Sequence, residues 1–152
     1  MTELAWHSFT HEPDALGESP CFHPQERRLY WVDVAGRRLR RAPVQGLQGP
    51  GDVQSWPMPS EPGCIAPARG GGLVVALRDG VYRARAWGGV LERLAPALHD
   101  PATTRFNDGR ADPQGRFWAG NLYEPKDKPE AALYCLEGGT LRRMAGGEIG
   151  RA

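Results

Sequence analysis

The sequence predicts an all-β fold made of propeller blades. Three observations carry that expectation: chain breakers too dense for long helices, short apolar runs of strand length, and recurrence of those runs at a fixed period. Glycine (20 residues) and proline (14) interrupt the 152-residue chain every few positions. Between the breaks lie Arg28–Asp33, Gly72–Leu77, Gly115–Gly120 and Ala132–Leu136, whose aromatic and β-branched content and length mark strands.

The runs repeat. His23-Pro24-Gln25-Glu26-Arg27-Arg28-Leu29-Tyr30-Trp31 is answered by Asp112-Pro113-Gln114-Gly115-Arg116-Phe117-Trp118, and Ala66 to Val74 forms a weaker copy between them. A period of about 45 residues fits propeller blades. Each copy runs from a Pro-containing turn into an apolar strand, then a polar turn (Ala35-Gly36, Asp79-Gly80, Gly138-Gly139). A second strand carrying arginine follows: Leu39-Arg40-Arg41, Val81 to Arg85, or Leu141 to Met144. Alternation of apolar residues with Arg predicts one face against a neighbouring layer and one in water. Asp79-Gly80 and Gly138-Gly139 are two-residue hairpin signals. The chain is therefore expected to be one partial propeller domain over 1–152, with repeats at roughly 15–57, 58–103 and 104–147 and an atypical end at 148–152 that suggests truncation. A propeller has four to eight blades, so about three form an incomplete ring. An open ring exposes a blade edge through which chains can self-associate.

Composition narrows the function. The 19 basic and 18 acidic residues nearly cancel and nowhere cluster, so neither a nucleic acid nor a membrane surface is an expected partner. No apolar run reaches the ~20 residues of a membrane span, and the first residues lack a secretory signal, which points to the cytoplasm. Cys21, Cys64 and Cys135 share no CxxC spacing and read as buried, reduced thiols. The four histidines, His7, His11, His23 and His99, show no metal-like spacing. No GxSxG elbow is present, and no residue is singled out as a catalytic nucleophile.

Two segments hold polar residues that the blade pattern does not require: Ala15 to Phe22, containing Gly17-Glu18-Ser19-Pro20, and Arg105-Phe106-Asn107-Asp108-Gly109. Glu18 offers a carboxylate suited to a hard cation, or is a solvated turn residue. Arg105 and Asn107 can donate hydrogen bonds to a polar ligand. Asn107-Asp108-Gly109 also reads as an ordinary turn. Asp33 and Asp112 fall at what look like equivalent blade positions, which favours a structural role in turns.

On these residues, namely Leu16-Gly17-Glu18-Ser19-Pro20 followed by Leu29-Tyr30-Trp31-Val32-Asp33, then Arg105 to Gly109 followed by Asp112 to Gly120, the chain resembles the gluconolactonase and regucalcin (senescence marker protein) family over almost its whole length. The resemblance implies a six-bladed propeller, of which this is the N-terminal half, one divalent cation (Ca²⁺, Mn²⁺, Mg²⁺ or Zn²⁺) and metal-assisted hydrolysis of a small sugar lactone. It further implies that Glu18 is a metal ligand and that Arg105, Asn107 and Asp108 contact substrate. Glu124 is the nearest match to another acidic contact. In that family two more ligands, an asparagine and an aspartate, come from later blades. The enzymatic expectation thus attaches to a longer protein. The alternative is a non-catalytic propeller remnant, or a calcium-binding or interaction module.

Overall fold

A computed structural model describes residues 10–44 and 52–147. The expectations for 148–152 and for His7 lie outside the described residues. Twelve strands are present: β1 Gly17–His23, β2 Arg28–Asp33, β3 Arg38–Pro43, β4 Gln54–Pro57, β5 Pro62–Pro67, β6 Leu73–Leu77, β7 Gly80–Ala84, β8 Leu91–Pro96, β9 Thr104–Ala111, β10 Phe117–Tyr123, β11 Ala132–Glu137 and β12 Thr140–Gly146. They form three antiparallel four-stranded meanders, β1 to β4, β5 to β8 and β9 to β12. The first strand of each sheet packs against the first strands of the others, giving three blades of an incomplete propeller. No helix among the described residues is long and apolar enough to cross a membrane.

Blade two is covered on both sides, and its side chains divide accordingly. Ile65, Leu73, Val75 and Leu77 join Tyr30, Val32 and Leu39 in a core against blade one. The smaller Cys64, Ala66 and Ala76 join Phe106, Phe117 and Tyr134 in a core against blade three. Burial on both faces explains why β5 and β6 read as continuous apolar runs, since neither face meets water. It also corrects the expected water-facing arginines. Arg83 on β7 is half-buried between blades, and Arg40 on β3 is 5% exposed, held by Asp14 and stacked 5.5 Å from the Trp31 ring. Cys64 and Cys135 are buried free thiols and Cys21 is half-buried. Burial pushes the Cys64 thiol far above its ordinary range.

One of the two expected hairpin turns differs from expectation. Glu137 pairs with Thr140, so Gly138-Gly139 is the two-residue loop, with φ of 55° and 80° that glycine adopts without strain. In blade two, however, Leu77 pairs with Gly80, and the loop residues are Arg78-Asp79. Gly80 belongs to the strand, paired with Leu77 and Pro96, and a Cβ there would lie 2.5 Å from the Ala95 carbonyl oxygen, which is why the position takes glycine. Blade three is also phased differently: Ala132–Glu137 follows β10 after a long loop, which makes the Arg-bearing Leu141 to Met144 segment its outermost strand. Asp33 and Asp112 are both turn residues but not equivalent ones. Asp33 ends β2, whereas Asp112 follows β9 and accepts from Arg116 N, Arg116 Nε and Trp118 Nε1. Those donors outweigh what burial would do and hold Asp112 down to about 2.

Candidate functional site

All three innermost strands are irregular at the same level. In β1 the register slips between Glu18 and Cys21, so Ser19 and Pro20 face Trp31 alone. In β5 it slips at Gly63, between Pro62 and Cys64. In β9 two residues, Asn107 and Asp108, oppose Gly120. A bulge bends the strand and re-aims its side chains, and bulges concentrate beside functional sites. Asn107-Asp108-Gly109 is therefore a bulge inside a strand rather than a turn.

These irregular stretches touch one another. A Cβ on Gly63 would lie 2.4 Å from the Phe106 carbonyl carbon and oxygen and 2.9 Å from Asn107 N, so only glycine lets β5 approach β9 this closely. The Ser19 hydroxyl sits 2.6 Å from Asp108 Oδ1 and 3.2 Å from the Gly63 carbonyl oxygen, sharing its proton between them. Ser19 is 6% exposed with φ 51°, a left-handed conformation unusual for serine and unexpected before a proline. The two buried contacts offset that strain and fix the peptide adjoining Glu18. Glu18 itself is half-buried, and its carboxylate makes no hydrogen bond or ion pair with another described residue.

Around the corner of β9, Arg105 is 8% exposed. Its Nη1 donates to Asn107 Oδ1 at 2.8 Å and to the Phe106 carbonyl at 3.1 Å, and its Nε lies 3.8 Å from Glu124 Oε1. With Asn107 Oδ1 occupied as an acceptor, the Asn107 amide NH₂ is the group left to donate outward. Glu124 is gripped bidentately by Arg78, with Nη1 to Oε2 at 3.0 Å and Nη2 to Oε1 at 2.9 Å. Arg78 Nε also binds Glu61 Oε2 at 2.9 Å, and Arg37 reaches Glu61 at 3.3 Å. For Glu61, burial alone would raise the carboxyl; its own backbone N–H with Arg78 and Arg37 lowers it below the ordinary range.

Sequence reasoning did not find Arg78, Glu61 or Ser19. Ser19 lay inside a noted motif, but its conformation carries no sequence signal. Arg78 looked like the residue before a turn, and only the register places it at the hairpin tip. A further buried group supports that tip. Asn121 Oδ1 accepts from Ala132 N, which turns Asn121 Nδ2 toward His99 Nδ1 at 3.3 Å. His99 Nδ1 is thereby the acceptor and its Nε2–H donates to the Arg78 carbonyl at 3.0 Å. Arg78→Met is expected to cost about 1–2 kcal/mol in urea unfolding, and a double-mutant cycle with Glu61→Gln should show coupling of at least about 0.5 kcal/mol.

Residues 16–149 match the family described as SMP-30/Gluconolactonase/LRE-like region. The chain belongs to that family. Among curated relatives of this SMP-30/gluconolactonase group, it is 38% identical over 138 residues to the 6-deoxy-6-sulfogluconolactonase of Pseudomonas putida, a match spanning 91% of this chain and 46% of that protein. It is 34% identical over 140 residues to the L-arabinolactonase of Azospirillum brasilense, spanning 87% and 44% respectively. Among solved structures, the calcium-binding protein regucalcin of Agrobacterium tumefaciens superposes with a TM-score of 0.82 at 22% identity, over 91% of this chain and 46% of that one. That likeness shows the SMP-30/gluconolactonase propeller fold. The chain spans about half the length of the curated family members it matches.

The described residues do not by themselves fit the divalent cation that the resemblance implies. No three His, Cys, Asp or Glu side chains converge among them, so Glu18 has no cluster of further such ligands beside it among the described residues. A hard cation such as Ca²⁺ takes six to eight oxygens.

Proposed function

We propose that this chain is the substrate-binding half of a sugar-lactone hydrolase. The observation that carries the reading is the triple bulge: all three innermost strands break register at one level, and two of the breaks carry the Gly-Glu-Ser-Pro and Arg-Phe-Asn-Asp-Gly segments. The relatives named as lactonases of gluconate and arabinose type support the substrate class.

Lactone hydrolysis adds water to the ring carbonyl carbon, breaks the ring C–O bond and passes a proton to the departing oxygen, yielding the hydroxy acid. The chain's own residues bind and orient. The Asn107 amide donates to a sugar hydroxyl or to the carbonyl. Glu124, with oxygens held in place by Arg78, accepts from hydroxyls, and Arg105 keeps Asn107 in one orientation. Asp108, braced by Ser19, presents an exposed carboxylate on the same strand. A cation shared with Glu18 is part of the proposal for the longer protein, where other residues would complete its coordination.

The test is amide-resolved NMR of the 152-residue chain titrated with gluconate as the stable product. Saturable shifts are expected at Arg105, Asn107 and Glu124, weakened about tenfold or more in Asn107→Ala. Absence of shifts at those residues sinks the substrate reading. The solitary Glu18 favours a second reading, in which the 152-residue chain binds without turning over. Its gluconolactone hydrolysis should then stay at the buffer rate with or without Ca²⁺ or Mn²⁺, and calorimetry should find Ca²⁺ affinity weaker than about 1 mM. Metal-dependent turnover by this chain would exclude that second reading.

A further inference from the structure

At the opposite end of the inner strands from Glu18 and Asn107, blades two and three part to leave a cleft of about 330 Å³. It opens beside Pro67 at the close of β5 and Asp112 just past β9, while the residues discussed above sit near the starts of those strands. Apolar side chains form part of its wall, with Ala66, Val74 and Leu94 from blade two facing Phe117 and Leu136 from blade three. That volume lies at the small end of ligand pockets.

Two guanidinium groups line this space, and neither makes a salt bridge to a carboxylate among the described residues, although the Arg83 charge is felt by Glu92 across the strand. Arg83 rises from β7. Its Nη2 donates to the Gly71 carbonyl at 2.7 Å and to the Arg69 carbonyl at 3.2 Å, and its Nε is buried without a hydrogen bond. Glu92, its cross-strand neighbour, is taken up by Arg85, at 3.1 Å and 3.2 Å. Arg69 is exposed, and its guanidinium lies over Gly115, where a Cβ would come within 2.8 Å of Arg69 Nε. Gly115 has φ 85°, so the residue that makes room for the guanidinium also supplies a backbone that other residues resist. A single hydrogen bond, from Arg69 Nη2 to the Pro113 carbonyl at 3.3 Å, ties that group down. The one acid on the wall, Asp112, is already saturated by Arg116 and Trp118.

Guanidinium groups without a salt-bridge partner can take up an incoming anion, and hydrogen bonds between guanidinium and carboxylate are among the strongest available. We propose that this cleft between blades two and three binds a small organic anion with an apolar body, of the aryl or short-chain carboxylate class. Arg69 and Arg83 hold the anionic head, and the Phe117 and Leu136 wall covers the body. The site is separate from the lactone reading and stands or falls without it.

The probe is phenylacetate, titrated into the 152-residue chain and followed by amide shifts and calorimetry. Saturable shifts are expected at Arg69, Ala111, Gly115, Gly138 and Gly139. Affinity should fall about tenfold or more for the neutral isostere phenylacetamide, and by a similar factor in Arg69→Gln, a change at an exposed side chain that leaves the core intact. Any of four results overturns the assignment: no saturable binding up to about 10 mM, equal affinity for phenylacetamide, unchanged affinity in Arg69→Gln, or shifts confined to Arg105, Asn107 and Glu124.

Discussion

Gly63→Ala is expected to destabilise the protein by about 3 kcal/mol or more, a large share of the roughly 5–15 kcal/mol that holds a domain folded. The added methyl would lie 2.4 Å from the Phe106 carbonyl carbon and oxygen, and those are backbone atoms that cannot rotate away. Phe106 is fully buried between His99 and Tyr134, with ring centroids at 4.8 Å and 5.8 Å, so β9 has no room to retreat as a unit. Relief must come by prising β5 from β9, the two strands that carry the bulges. Urea denaturation should show the lower midpoint, and the Asn107 amide resonance should move even where the variant remains folded. A variant with unchanged midpoint and unchanged Asn107 would show that the strands are not packed as described.

Asp33→Ala is expected to cost about 3–5 kcal/mol, because removing a carboxylate with no exposed surface would strip the backbone donors around it of their acceptor and Arg38 of its nearer partner. Asp33 Oδ1 accepts from Leu16 N at 2.9 Å and Gly36 N at 3.0 Å, and Oδ2 accepts from Arg38 Nε at 2.9 Å. Leu16 immediately precedes β1, so the same carboxylate that closes the β2 to β3 turn anchors the approach to Glu18. Burial alone would raise the Asp33 carboxyl, but the backbone donors of Leu16, Gly36 and Ala15, with Arg38, hold it below its ordinary 3.8. A depressed carboxylate stabilises the folded state fully above its unfolded value and loses that contribution as the pH falls through the folded one. The stability gap between the natural chain and Asp33→Ala should therefore be constant near neutrality and narrow below pH 3.8. A gap that stays constant down to pH 2 would show that the carboxylate is not charged in the fold.

Much of this architecture was legible in the chain itself. The blade repeat needed only the spacing of Pro24, Pro67 and Pro113, because every blade closes its first hairpin near the same point. Gly138-Gly139 announced a hairpin through the one residue type that takes positive φ twice in succession. The arginines were misread. In an isolated strand, alternation of apolar residues with Arg implies a wet face, yet Arg40 and Arg83 lie between elements, where long stems pack along apolar surface and the heads find carbonyls or Asp14.

The candidate site divides in the same way. Glu18, Arg105, Asn107, Asp108 and Glu124 were named as candidates through the resemblance of two short motifs, and of the stretch after the second, to a known family. Arg78 and Ser19 were not, since each matters through a residue distant in the chain: Arg78 through Glu124, 46 positions away, and Ser19 through Asp108, 89 positions away. By itself, then, the sequence determined an all-β chain of repeated blades and the identity of its polar motifs, which depend on local spacing and backbone preference. Only the tertiary structure decided how those motifs meet. Strand register and bulges are set by packing between blades, and the left-handed Ser19 before proline runs against its local preference, held by contacts that exist only when β1, β5 and β9 come together.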